Sequence, residues 1–177
     1  MPLISTVAPA DATGQIAETY HQVENTLQRV PNTLQLFSNS PQLLENMWGY
    51  LNYFLPHSKL SMPLLVTIRL LVSQHVKCDY TTECNASMLM SMCNQTQEQV
   101  TATQQDPNQA PLEEKEKALL LFVLKSVKTP LEVTEQDVQA LVGIGWEEKD
   151  ILDATAHGAC HVGASILFCT FKVEKDF

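Results

Sequence analysis

Five cysteines and five histidines carry most of the reactive side-chain chemistry in this chain, and two of their groupings have spacings that could do work. The first centres on Cys78, inside LLVTIRLLVSQHVKCDYTTECNASMLMSM, residues 64–92. There one apolar helical run ends and a second begins. A thiol at such a junction lies near free backbone N–H groups, and it reacts as the thiolate that a helix N-terminus or a nearby cation favours. Lys77 and His75 stand close by in sequence, and the helix opening near Tyr80 adds its dipole. The simpler alternative is a buried cysteine in a helix junction. Cys84 follows Cys78 by six residues, roughly 600° of helical rotation, so the two point to different faces. Cys84 is therefore expected to be packed rather than paired.

The second grouping is Asp153, His157 and His161, each four residues apart, with Cys160 beside the last. Such a stripe on one helix face can hold a divalent metal. The alternative is a set of helix-surface and interhelix hydrogen bonds. No pair of cysteines has the spacing of a zinc knuckle or a dithiol redox motif, and an odd number does not suit a disulfide framework. Cys93 and Cys169 are expected as small buried core residues. No cofactor is indicated.

The elements that must position these residues read as helices throughout. Asp11 or Thr13 caps a first helix carrying Ile16, Tyr20, Val23 and Leu27 and ended by Pro31. Residues 32–40 read as a turn. Pro41 opens an aromatic-rich helix that runs to Phe54 and stops at Pro56, and Ser61 caps a third, with Pro63 in its first turn and apolar residues nearly all round. The helix after Cys78 carries Ala86, Met88, Leu89, Met90, Met92 and Cys93. The polar tract 94–110 reads as a surface connection with at most one helical turn around Glu98 to Ala102. Pro111 and the acidic Glu113, Glu114 and Glu116 open a helix that ends before Pro130, and Thr134 with Asp137 caps a short one ending at Gly143 and Gly145. From Trp146 to Val173 a long Ala- and Gly-rich helix is acidic at its start and basic at its end, and its small residues let another backbone approach closely. No stretch alternates with a strand's period. The predicted class is all-α, a bundle of about six to eight helices in a single domain, 1–177, with core segments 11–95 and 111–173.

With 177 residues and 45% apolar content the chain can bury one substantial core. A net charge of −9 with only 11 Lys and Arg argues against a nucleic-acid surface. No apolar run reaches membrane-span length, and MPLISTVAPADATG lacks a basic region followed by an apolar core. A soluble, cytoplasmic protein with no membrane partner is expected.

The run from Leu60 to Met92, with Ser73, Cys78 and Tyr80, resembles the alkylhydroperoxidase D and carboxymuconolactone decarboxylase superfamily, specifically its peroxidase-related branch. The resemblance extends over most of the chain: Val30-Pro31-Asn32, Pro41-Gln42-Leu43-Leu44 and Leu60-Ser61 are similar to the family's lead-in, and Asp137-Val138, Gly145-Trp146 and the long last helix to its ending. It implies an AhpD-like all-α fold and a homo-oligomer, whether dimer, trimer or hexamer. In the family's active peroxidases a glutamate precedes the first cysteine by twelve residues, a second cysteine follows it by three, and a histidine comes four later. Glutamate and histidine relay a proton, the second cysteine attacks peroxide, and the first closes the disulfide. Carried onto this chain, the first cysteine is Cys78, while Val66, Thr81 and Asn85 stand at the glutamate, second-cysteine and histidine positions. Val66 cannot move a proton, Thr81 has no thiolate, and Asn85 does not titrate.

Two functions follow as expectations. One is an antioxidant thiol peroxidase working through Cys78 alone and resolved by an external thiol. The other is a non-catalytic helical oligomer that keeps the fold and binds a small ligand, metal or partner. A decarboxylase acting on a lactone carboxylate ranks behind both, because position 66 is not glutamate and basic residues are few.

Overall fold

Helix-start chemistry sets most of the element boundaries. In the computed structural model, which describes residues 2–176, Ser61 accepts a hydrogen bond from the Leu64 N–H and opens α4 (Met62–His75) with Pro63 in the first turn. Thr134 and Asp137 form a reciprocal capping box at α8 (Glu135–Gly143). The other expected helices are α1 (Gly14–Leu27), α3 (Pro41–Phe54), α5 (Asp79–Met92), α7 (Glu114–Lys128) and α9 (Glu148–Thr170). No strand occurs among the described residues. The fold is all-α.

Two segments read from sequence as connections are helical. Residues 32–40 form α2 (Asn32–Gln35) and a 3-10 turn, Leu36–Asn39, because Leu34, Leu36 and Phe37 all turn inward. The polar tract contains α6 (Gln97–Gln105), longer than the single turn expected, opened by a Thr96–Gln99 capping box. Its Val100 and Thr103 are fully buried. One apolar anchor and one good cap outweigh the weak helix propensity of a Gln- and Thr-rich stretch.

The described residues gather into two compact units. In Met1–His57 with Leu167–Phe177, α1 packs on α3, and Tyr20 and Val23 of the one and Leu44 and Trp48 of the other are buried. The Tyr20 hydroxyl donates to the Val7 carbonyl at 3.0 Å. Asp176 accepts from the Asn32 N–H at 2.7 Å and pairs with Arg29, tying down the C-terminal tail.

The unit Ser58–Ile166 is built on α4, where Leu64 to Ile68 and Leu70 to Ser73 are all buried. Helices α5, α6 and α7 pack against it. A Cβ on Gly158 of α9 would stand 2.6 Å from Val123 Cγ1 and 3.4 Å from Ile68 Cγ2. Glycine there lets α9 approach α4 and α7 closely.

Candidate functional site

The corner that carries Cys78 is three residues of chain, Val76 to Cys78, tightened by backbone hydrogen bonds. The Lys77 N–H donates to the Gln74 carbonyl at 3.2 Å and the Cys78 N–H to the Ser73 carbonyl at 3.0 Å, while Lys77 adopts φ +56°. This is a Schellman motif with Lys77 at the left-handed position. Cys78 ends it and is at once the N-cap residue of α5. Its carbonyl accepts from the Thr82 N–H at 3.0 Å, from the Thr82 hydroxyl at 2.9 Å and from Thr81 at 3.3 Å.

The thiol matches the simpler of the two sequence readings, a buried cysteine in a helix junction. Cys78 is 0% exposed and its side chain makes no capping hydrogen bond to α5. His75 and Lys77, its neighbours in sequence, are exposed. Among the described residues no histidine hydrogen-bonds the sulfur; His161 Nε2 instead lies 2.8 Å from the Ser73 hydroxyl. That hydroxyl has one proton, and it goes to the Arg69 carbonyl at 2.6 Å. His161 is therefore the donor through Nε2–H. Burial, then the Arg69 charge, then His157 push the His161 pKa down to about 3. It is a neutral imidazole at physiological pH and supplies no cation to a thiolate.

The remaining family positions are absorbed into structure. Val66 is fully buried in a cluster with Leu70, Leu89 and Val100. Thr81 is buried, its hydroxyl shared between the Cys78 carbonyl and Ser165 Oγ at 3.4 Å. Asn85 is buried and its amide donates to the Thr81 carbonyl at 2.7 Å. Tyr80 sits in the first turn of α5, half-buried.

The metal expectation needs correction. Among the described residues no three His, Cys, Asp or Glu side chains form a group able to hold an ion. Asp153 pairs with Lys149 one turn back at 2.9 Å, and His161 is held by Ser73, so Asp153, His157 and His161 share a helix stripe without converging. Helical spacing alone does not decide where the side chains reach. None of the five cysteines is in a disulfide. Cys169 is exposed and Cys93 half-buried, so neither is the fully buried core residue expected; both lie at or near helix ends, Cys93 as the C-cap of α5.

Arg69 was the residue overlooked. It is the one charge inside the apolar run of α4, and that isolation was its signal. Its Nε is buried without a hydrogen-bond partner, and Nη2 lies 3.6 Å from Met88 Sδ.

No family model and no curated protein matches the chain. Solved structures do. A peroxidase-related protein from Ralstonia eutropha, described as an alkylhydroperoxidase AhpD core, superposes with a TM-score of 0.84 at 19% identity, over 99% of this chain and 92% of that one. A peroxidase-related protein from Silicibacter gives 0.80 at 20% identity over 99% and 94%. A cysteine-to-alanine variant of a debrominase, in complex with 2,3,4-tribromopyrrole, gives 0.75 at 16% identity over 99% and 94%. The chain has the AhpD-like helical fold.

Proposed function

We propose that this protein is a peroxidase-related thiol redox protein in which Cys78 is the reactive residue and an external thiol completes the cycle. The observation that supports it is the placement of Cys78: the motif cysteine is retained at the α4–α5 corner, one residue ahead of a 14-residue helix, in a fold shared with peroxidase-related proteins. The debrominase complex shows the same fold holding a small organic molecule in a cysteine-to-alanine variant. Cys78 thiolate would attack a hydroperoxide, forming S–O as O–O breaks, and the sulfenic acid would condense with the external thiol and release water. Because the sulfur is buried and lacks an imidazolium, turnover is slow and depends on opening of the corner. Five cysteines with no disulfide among them fit a reducing compartment such as the cytoplasm, and no described helix is long and apolar enough to cross a membrane.

The test is peroxide consumption with a thiol donor. Cys78→Ser should abolish it, and unchanged consumption in that variant overturns the reading. The second reading, a non-catalytic ligand- or partner-binding oligomer, is favoured by the structural use of Val66, Thr81 and Asn85, and predicts no consumption by the unaltered protein. Homo-oligomerisation belongs to both. Leu131 is 99% exposed, and an open groove of about 490 Å3 lies between α7 and α9, with Phe122, Val138, Ile151 and Leu152 in its lining. A monomer by light scattering would remove that part.

A further inference from the structure

An uncompensated cation lies inside the Ser58–Ile166 unit. Arg69 is the only Lys, Arg, Asp or Glu of the apolar helix α4, and its Nε–H is buried with no hydrogen-bond partner. Nη2, which shares an edge of the guanidinium with Nε, lies 3.6 Å from Met88 Sδ, and a thioether is a weak acceptor. Met88 itself packs against the apolar cluster of Val66, Leu70, Leu89 and Val100. Among the described residues no carboxylate pairs with Arg69. A guanidinium edge left desolvated and unpaired is costly, and native folds satisfy such an edge with water or an ion. Burial pulls the Arg69 pKa down, yet a guanidinium keeps its charge at neutral pH.

We propose that the Nε–Nη2 edge of Arg69 is a binding site for a small, weakly hydrated monovalent anion, the class that includes nitrate, bicarbonate and the larger halides. The edge offers two parallel N–H donors, the fork from which a planar oxyanion or a halide accepts. It carries a single positive charge, because His161, which bears on it from α9, is neutral for the reason given above. A dianion would therefore leave charge in excess. The surroundings are sulfur and hydrocarbon, where stripping water from sulfate or phosphate costs more than stripping it from a monovalent ion. Arg69 as a whole is half-buried, so an ion can exchange with solvent, and the flexible Met88 side chain can swing aside to admit it. The rival anion is a thiolate. Burial pushes the Cys93 thiol up against the weaker pull of Arg69, which keeps it protonated, while Cys84 bears on Arg69 electrostatically and is separated from an external ion by experiment. The site does not require Cys78 to be reactive; an ion held there ties α4 to α5 whichever function Cys78 has.

The measurement is the thermal midpoint of the unaltered protein as sodium nitrate replaces sodium sulfate at constant ionic strength and neutral pH. Without a site the midpoint falls, because sulfate strengthens apolar burial and nitrate does not. Two charge-assisted hydrogen bonds give half-saturation on the order of millimolar, so the midpoint should instead rise, by about 5 °C between about 1 and 100 mM nitrate. Arg69→Met, apolar and of similar length, should remove the rise. Crystals of the unaltered protein grown in sodium bromide should show anomalous bromide density beside Arg69 Nε. A midpoint that does not rise with nitrate overturns the proposal whether or not Arg69→Met folds. So do an equal rise in Arg69→Met and a lack of bromide density at Arg69. A rise confined to Cys84→Ser would assign the counter-ion to the Cys84 thiolate and overturn it equally.

Discussion

His161 shows how one residue's surroundings decide its chemistry. An exposed histidine ionises near pH 6.5, but this one is held by Ser73 and lowered to about 3 by burial, Arg69 and His157. Between those values the unfolded chain binds a proton that the folded chain refuses. The stabilisation is therefore complete above pH 6.5 and is lost as the pH falls from there toward 3, at up to about 1.4 kcal/mol per pH unit. His161→Gln, which can still donate to Ser73, should flatten the loss by close to one proton when urea midpoints are compared across that range. An unchanged slope would show that His161 is solvated and titrates normally. The same residue-level view separates the thiols. Cys78 is fully buried at its own corner, whereas Cys84 on α5 is half-buried.

At the scale of elements, the α4–α5 corner holds Cys78 in place. Its left-handed residue is Lys77, at φ +56°, where a side chain with a Cβ costs roughly 1 kcal/mol that glycine avoids. Lys77 is exposed, so its replacement loses little packing. Lys77→Gly should raise stability by up to about 1 kcal/mol in denaturant unfolding; a loss of stability would mean that the lysine side chain holds the corner. Such a corner was partly legible in LVSQHVKCDYTT, because apolar periodicity stops at Val76 and resumes beyond Cys78. The turn type was not, since lysine carries no left-handed signal. Helix α6 went unread for a related reason: propensity alone does not make a helix of a Gln-rich tract, and the burial of Val100 that stabilises it is a tertiary fact.

At the scale of the molecule, packing within the Ser58–Ile166 unit turns on small residues in α9. Gly158 faces Val123, itself fully buried, at a distance that no Cβ fits without a shift. Alanine gains up to about 1 kcal/mol of helix propensity, but overpacking a closed site costs about 1–3 kcal/mol. Gly158→Ala should therefore be net destabilising, by about 1–2 kcal/mol in thermal or denaturant melts. A neutral or stabilising result would mean that α9 does not approach α4 and α7 as closely as the structure places it.

Sequence by itself determined the all-α class, the seven longer or strongly capped helices and the identity of the residues at each motif position. Those properties follow from local periodicity, capping chemistry and residue type. Tertiary structure alone decided which groups meet. Asp153 turned to Lys149 and His161 to Ser73, so a stripe with metal-ligand spacing is not a metal group. Cys78 lost the cations beside it in sequence because His75 and Lys77 point to solvent. Arg69, distant from Met88 in the chain, came to meet its sulfur because α4 packs along α5. The energy of a charge depends on what surrounds it in space, and sequence neighbours are only a small part of that surrounding.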